Sequence, residues 1–529
     1  MASPPIQSHC IRQTALPGAS ALFTDLLYHP ERVKAFYPHA AGDLGAAAAL
    51  ASSLNFPDDR RAALVAALRP LNGDHPSLER LAQPGTVAVL TGQQVGLFSG
   101  PVYTLYKALT AIQAARQLTA SGTEAVPVFW LATEDHDFAE INQAWAFDSQ
   151  SAPVSFRATD AGTTNRPVGP LPLEGTPLEE LGRALAGFPF ADEVMARVKR
   201  CYSSGTWGSS FLELLKEYLA PHGLLFVDPL HPPLRTIGAP LLAQAALDAS
   251  ALSAALLKRN TELAAAHYHA QVHVEAETSL FFLLENGERV SLKYRAGEYS
   301  TKDRKLTAAE MAARAETLSP NALLRPVLQD YLFPTVAVVG GPAEIAYFAQ
   351  SEVLYRHLLG HMPVSLSRAA FTLLSPRVAK LLGRYGLTVE NTWANEETLR
   401  ERIAVQLVPP GVTTSISTAQ IRLTAALSEV RAALTAYDPS LVVALATSER
   451  KMAYQLGKLE RKVGREALRR DARATQEAAL LHHQLFPHQH LQERFYSMLP
   501  FLAAYGEELI PRLLDHIRLD CPDHQVLVL

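Results

Sequence analysis

Two clusters of polar residues in this chain are of types that do chemistry. The first runs Thr91-Gly-Gln-Gln-Val-Gly-Leu-Phe-Ser-Gly-Pro101 and the second is Glu134-Asp-His-Asp137. Three carboxylates around one imidazole raise one another's pKa unless something compensates, and a metal, a substrate ammonium or an arginine are the candidates. A carboxylate beside a histidine also suits general-base work on an amine. Capping of the next helix is the competing structural role, strongest for Asp137. No His-x-x-x-His or cysteine pair supports a metal, so none is assigned, although one stays possible. In the first cluster, the glycine turn from Gly92 to Gly100 sets backbone N–H groups at a helix start, a place that favours anions. Gln93 and Gln94 add amide donors and acceptors for a polar ligand. The turn is neither a Gly-Lys-Ser/Thr phosphate loop nor Gly-x-Gly-x-x-Gly, and a tight turn with no ligand is the alternative.

Weaker candidates lie further along. Asn165 with Arg166, and Asn321 with Arg325, place amides and guanidinium forks in Pro-rich loops. Forks suit carboxylates and phosphates, and a structural salt bridge is the plainer role for each. Gly340-Gly-Pro342 with Glu344 repeats the logic of a turn at a helix start. His482, His483, His488 and His490 read as surface or hinge residues.

The elements that position these groups follow from apolar patterning. Val87 to Leu90 is a short apolar run, as a buried strand requires. Pro101 is expected to open a helix, since Val102, Leu105, Leu109 and Ile112 recur three and four apart and Ser99 or Gly100 precedes it. Val126 to Ala132 is a second buried run that ends at the acidic cluster. Strand, helix, strand is a right-handed crossover with parallel strands, so both polar loops emerge at neighbouring carboxyl ends, where open α/β sheets bind ligands. Further strands are expected at 224–227 and 335–339, and 280–284 with 289–294 reads as a hairpin. Leu423, Leu427, Val430, Leu434 and Tyr437, then Leu445, Glu449, Met452, Leu456, Leu459 and Val463, follow coiled-coil spacing on either side of Pro439. The second of these helices could extend to His482.

The bulk numbers bound the class. With 529 residues the chain is too long for one hydrophobic core. Apolar residues at 48% and charged residues at 19% suit a folded protein. The net charge of −4 gives no whole-chain electrostatic case for nucleic acid. Cys10, Cys201 and Cys521 lie far apart in sequence, consistent with a reducing cytosol. The first residues lack the pattern of a signal peptide, and no apolar run nears the roughly 20 residues that span a bilayer. A cytoplasmic enzyme of small molecules is expected, with no nucleic-acid or membrane partner.

The expected organisation is α/β, a Rossmann-like, mainly parallel sheet core with connecting insertions plus an α-helical coiled-coil arm. Residues 1–150 form the first half of the core, 151–222 a first insertion, 223–240 a core strand and turn, and 241–330 a second insertion with the hairpin. Residues 331–390 form the second half, 391–486 the arm and 487–529 a C-terminal segment returning to the core.

A set of motifs carries a resemblance. Thr91-Gly-Gln-Gln, Ser99-Gly-Pro, Phe129-Trp-Leu-Ala-Thr-Glu-Asp-His-Asp-Phe138, Asn165-Arg-Pro-Val-Gly169, Ser319-Pro-Asn321 with Leu324-Arg-Pro326, Gly340-Gly-Pro-Ala-Glu-Ile-Ala-Tyr-Phe-Ala-Gln350 and Leu491-Gln-Glu-Arg494 occur in this order. The chain resembles the cysteine-adding enzyme family of bacillithiol biosynthesis over nearly its whole length. The resemblance implies a Rossmann-like core, a coiled-coil homodimer and the joining of cysteine to glucosaminyl-malate. A free carboxylate does not condense with an amine in water, so a nucleotide is expected to activate it, with ATP and Mg²⁺ as the suspected cosubstrate. By motif position, His136, Asp137, Glu134 and Gln93 are the catalytic candidates. Thr91, Gly92, Gln94, Ser99, Gly100, Lys107, Asn165, Arg166, Arg325, Gly340, Gly341 and Glu344 are the substrate or nucleotide candidates. His136 or Asp137 would take the amine proton, and Arg166 or Lys107 would meet the malyl carboxylates. A nucleotidyl- or glycosyl-transferase, and a dimeric scaffold with a vestigial site, are the alternatives.

Overall fold

The computed structural model describes residues 6–159 and 165–529. Residues 1–5, and Thr163 and Thr164 of the Pro-, Gly- and Thr-rich stretch, lie outside the described residues. In chain order, the strands that matter here are β1 (Val87–Gln93), β2 (Ala125–Leu131) and β3 (Leu225–Val227). Next come β4 (Thr278–Glu285), β5 (Glu288–Arg295), β6 (Glu298–Ser300), β7 (Lys305–Thr307) and β8 (Leu318–Pro320). The last two are β9 (Thr335–Gly340) and β10 (Val364–Ser367).

One five-stranded sheet has the order β10-β9-β1-β2-β3, and its pairings are all parallel. The four expected core strands are therefore in one sheet, and β10 is a fifth. The register between β1 and β2 is unbroken from Val87↔Ala125 to Gln93↔Leu131. Apolar side chains on both faces explain the continuous apolar runs. Val87 and Val89 pack with Ala111, Ala114 and Leu118 on one face, whereas Ala88 and Leu90 join the larger core on the other. From β1 the chain steps one way to β2 and β3, then returns to β9 and β10 on the other side of β1. The switch point thus lies between the carboxyl ends of β1 and β9, where such sheets open a crevice.

The helix after β1, α1 (Tyr103–Ala120), starts two residues later than Pro101. Phe98, Ser99 and Gly100 all have left-handed backbones, with φ of 51°, 76° and 63°, so the chain cannot enter a helix there. Pro101 instead forms a bridge with Ser497, and the Val102 N–H donates to the Tyr496 carbonyl at 2.7 Å. The Ser-Gly-Pro motif is a seat for the C-terminal segment rather than a helix start.

The expected hairpin is β4 and β5, with Asn286 and Gly287 at its turn. It belongs to a five-stranded antiparallel sheet of order β7-β6-β5-β4-β8. Helix α2 (Arg325–Leu332) follows β8, and α3 (Pro342–Leu358) follows β9. Asn321 is a backbone anchor there, since its side chain accepts from the Leu323 and Leu324 N–H groups at 3.0 and 3.1 Å.

By its contacts the chain divides into two compact units. One holds Ser8–Thr372 and Glu493–Val526, and the other is built on Leu373–Gln492. The second unit contains the helical hairpin, α4 (Pro410–Tyr437) and α5 (Leu441–Arg470), joined around Pro439. The helix expected to reach His482 breaks at Asp471, whose carboxylate accepts from the Ala474 N–H and caps a separate helix, Ala472–Leu485. Of the histidines read as surface or hinge residues, His482 is buried on that helix, while His488 and His490 are exposed. No helix residue of α4 is buried, and Ile421, Tyr437 and Val443 are 67%, 84% and 74% exposed. No single helix among the described residues is long and apolar enough to cross a membrane.

Candidate functional site

The crevice at the switch point is a cavity of about 540 Å³ within the first unit. That is the size of a small-molecule site, roughly 300–1,000 Å³. Its walls come from the loop after β1 (Gly92, Gln93, Gln94), the loop after β2 (Glu134, Asp135, His136) and the turn after β9 (Gly341 to Glu344). The antiparallel sheet adds Phe282 and Arg289, and α2 adds Arg325.

Close approach of the backbone dictates two glycines around it. A Cβ on Gly92 would sit 2.8 Å from the Trp130 carbonyl of β2, and one on Gly169 would sit 2.4 Å from the Thr133 Cβ. Gly169 belongs to the Asn-Arg-Pro-Val-Gly motif, which braces the acidic loop through its backbone. The Val168 and Gly169 N–H groups donate to the Asp135 and Thr133 carbonyls at 2.7 and 2.9 Å.

The acidic loop is compensated by an arginine, not left as crowded carboxylates. Arg289, buried on β5, donates through Nη1 to Asp135 Oδ1 at 3.3 Å and to His136 Nδ1 at 3.1 Å. Its Nε donates to Ser319 Oγ at 3.0 Å and its Nη2 to the Pro320 carbonyl at 3.0 Å. The Asp135 carboxylate also accepts from Gln94 Nε2 at 2.9 Å and from the His136 N–H at 2.8 Å. Burial raises the Asp135 pKa, but Gln94, Arg289 and His136 outweigh it and hold the group below its ordinary value. Burial and then Arg289 push the His136 pKa down. A guanidinium can only donate, so Nδ1 of His136 is the acceptor and the neutral ring carries its proton on Nε2. Facing the cavity, His136 is a hydrogen-bond donor.

Glu134 is different. It is buried, its Oε2 accepts from Ser319 Oγ at 2.8 Å, and Arg235 Nη1 stands 3.7 Å away. Its Oε1 is buried with no hydrogen-bond partner among the described residues. Such an oxygen costs stability unless something donates to it.

Cations line the opposite flank. Lys107, buried on α1, forms an ion pair with Glu344 and donates to the Gly92 carbonyl at 2.9 Å and Gln93 Oε1 at 2.8 Å. Burial lowers the Lys107 pKa more than Glu344 raises it, while Lys107 and the Gly341 N–H overcome burial and hold Glu344 low. The Gly341 N–H at the start of α3 donates to Glu344 at 2.9 Å and is already satisfied. Arg368 is buried against Glu493, with Nη1 to Oε2 at 2.9 Å and Nη2 to Oε1 at 2.5 Å. Two cations are not neutralised in this way. Arg325 donates to the Tyr347 phenol at 2.7 Å, and Arg494 stands over the Tyr103 ring at 5.7 Å. Neither has a carboxylate within 4.0 Å among the described residues.

Family models cover the chain in two blocks. Residues 6–369 match the model described as "Bacillithiol biosynthesis BshC, N-terminal Rossmann-like domain". Residues 371–529 match "Bacillithiol biosynthesis BshC, C-terminal coiled-coil domain". The chain belongs to the BshC family. A relative from Solibacter usitatus named "Putative cysteine ligase BshC" is 51% identical over 98% of this chain and 99% of its own length. Relatives with the same name from Koribacter versatilis and Salinibacter ruber are 38% and 31% identical, over 98% and 85% of this chain and 99% and 84% of their own lengths.

Within this cavity the structure gathers Gly92, Gln93, Gln94, Lys107, Glu134, His136, Arg325, Gly341 and Glu344. Asp137 is not among the lining residues. It is exposed and accepts from the Glu140 N–H at 3.2 Å, capping the short helix Phe138–Ile141. Arg166 is exposed and away from the lining, and Asn165 acts through its carbonyl, which accepts from the Arg289 N–H at 2.6 Å. Thr91 is buried and donates to the Val339 carbonyl at 3.0 Å, tying β1 to β9. Ser99, Gly100 and Gly340 also lie off the lining. Among the described residues, no group of three or more His, Cys, Asp and Glu could hold a metal ion. From sequence, Asp135 counts only as one of the three carboxylates of the acidic cluster, and Arg289, Arg368 and Arg494 are given no role. Glu493 and Arg494 stand inside the Leu491-Gln-Glu-Arg494 motif, which was a signal, whereas Arg289 carried none.

Proposed function

We propose that this cavity ligates L-cysteine to glucosaminyl-malate through an amide bond, completing bacillithiol. The observation that carries the reading is that one cavity holds both Arg325, with no carboxylate within 4.0 Å among the described residues, and Glu134 Oε1, with no hydrogen-bond donor among them. An ammonium donates to the second, and carboxylates accept from the first, with Arg494 as a second fork. A substrate bearing both an amine and carboxylates satisfies both groups at once.

In this reading Glu134 receives the proton that the sugar ammonium must lose before it attacks. His136 is not the base in this reading, because its Nδ1 is held by Arg289 and its Nε2 already carries a proton. It donates Nε2–H to the oxygen of the cysteine carbonyl as charge builds there. Gln93, Lys107 and Glu344 form a fixed floor. Activation of the cysteine carboxyl would be supplied by a nucleotide cosubstrate, ATP with Mg²⁺. Holding the two substrates together contributes on the order of 7–11 kcal/mol.

The test is incubation of the purified protein with cysteine, glucosaminyl-malate, ATP and Mg²⁺, followed by mass analysis. Bacillithiol with matched AMP or ADP is the expected result. Transfer of a nucleotidyl group to the sugar without amide formation would replace this reading with a transferase.

We further propose a homodimer formed through α4 and α5, which leave Ile421, Tyr437 and Val443 exposed. Light scattering should give twice the chain mass, and Ile421→Asp with Val443→Asp should give the monomer. A wild-type monomer at micromolar concentration would remove the dimer.

A further inference from the structure

Two of the three cysteines, 511 positions apart in sequence, meet in the fold. Cys10 lies on the strand Gln7–Ile11 and is exposed, and Cys521 is half-buried just before the strand His524–Val528. The strands Gln7–Ile11 and His524–Val528 are neighbours in one three-stranded sheet, which brings the two thiols within electrostatic reach of each other. Their segments are locked together on the same side. Gln13 Nε2 donates to the Pro522 carbonyl at 3.0 Å, and the Tyr28 hydroxyl donates to Asp523 Oδ1 at 2.6 Å while accepting from the Gln13 N–H at 2.8 Å. Cys521 also lines a separate cavity of about 210 Å³, with Arg518, Asp520, Asp523 and Arg368. Charges of both signs around a thiol suit a small zwitterion. Cys201, the third cysteine, is buried.

We propose that Cys10 and Cys521 form a dithiol site that exchanges with low-molecular-weight zwitterionic disulfides and closes to a disulfide joining the two ends of the chain. The Cys10 thiol loses its proton and its sulfur attacks one sulfur of the small disulfide. That S–S bond breaks, and one small thiolate leaves and takes up a proton. The other half, now bonded to Cys10, lies beside the small cavity. The Cys521 thiolate then attacks the Cys10 sulfur and expels the second small thiolate, which is protonated in turn. The two protein thiols are oxidised to one disulfide, and the small disulfide is reduced to two thiols. Burial and the neighbouring Cys521 sulfur push the Cys10 thiol up, so the attacking thiolate is scarce at neutral pH and the exchange quickens with rising pH.

The full-length protein is equilibrated with mixtures of reduced and oxidised glutathione at pH 8.5, blocked with iodoacetamide, digested with trypsin and weighed. Cleavage after Arg12 and Arg518 leaves one cysteine in each terminal peptide. The expected product is peptide 1–12 joined to peptide 519–529, with Cys201 carrying the blocking group. Cys10→Ser and Cys521→Ser should each accumulate roughly tenfold more glutathione adduct on the remaining partner, because the intramolecular second step is gone. Glutathione on Cys10 and Cys521 of the wild-type protein, with no joined peptide, would overturn the proposal. So would wild-type thiols that both stay reduced across the whole series.

Discussion

The two flanks of the cavity are built from the same kinds of side chain and used differently. On the acidic flank, Asp135 receives Gln94, Arg289 and a backbone N–H. On the cationic flank, Lys107 and Arg368 are equally well matched, by Glu344 and Glu493. Those groups are compensated before any ligand arrives, and they fix the shape of the walls. Arg325, Arg494 and Glu134 Oε1 are left over, and a ligand is the natural partner for what remains. Charge inside a cavity therefore divides into scaffold and contact, and partners, not residue type, decide which is which.

Substitutions can break that division. The largest effect is expected at Arg368. Arg368→Met leaves Glu493, 2% exposed, charged and unmatched, which costs about 3–5 kcal/mol. Denaturant unfolding should show that loss, and Arg368→Met with Glu493→Gln should regain most of it. A single variant as stable as wild type would move Arg368 from scaffold to contact. Next comes Arg325. Arg325→Ala should raise KM for glucosaminyl-malate about 100-fold, the equivalent of roughly 1.5–3 kcal/mol for a charged hydrogen bond, with an unchanged thermal midpoint. Arg325→Lys should recover part of it, since lysine keeps the charge without the fork.

A third test uses pH. The His136 pKa is lowered, so the neutral ring persists below its ordinary value of about 6.5. Its contribution is therefore present above that value and lost as pH falls through the lower folded pKa. kcat/KM should stay level from pH 8 to 6.5, then fall about tenfold per unit once the ring protonates and repels Arg289. A decline that begins above pH 7 would mean that His136 is not the group being titrated. The smallest effect is expected at Asp137. Asp137→Ala should lower stability by about 0.5–1 kcal/mol, the loss of a cap, and leave turnover unchanged. A large loss of turnover would return Asp137 to the site.

The sequence carried the frame of this site for a physical reason. Strands buried on both faces leave continuous apolar runs, and ligand loops must follow them at the carboxyl ends. Val87 to Leu90, Val126 to Leu131 and Thr335 to Val339 were readable on those grounds, with the polar loops behind them. Arg289 was not readable. It is one charged residue on a hairpin, and only the fold brings it 154 positions back to Asp135. The same holds for Ser319, which reaches Glu134 across 185 positions. Asp137 and Arg166 had the right chemistry, but a cap and a surface position used them otherwise. Pro101 followed a sound rule for helix starts, and three left-handed residues before it overrode the rule.

The pair Arg368 and Glu493 also has a meaning in time. The two residues are 125 positions apart, and the helical unit is made between them. At 5–20 residues per second the ribosome needs roughly 6–25 s to cover that distance. Throughout that interval the cavity wall carries a guanidinium whose carboxylate has not been synthesised. The last wall of the site can set only after the whole arm has left the ribosome, so a chain halted within the arm holds nearly every cavity residue and still lacks the finished cavity.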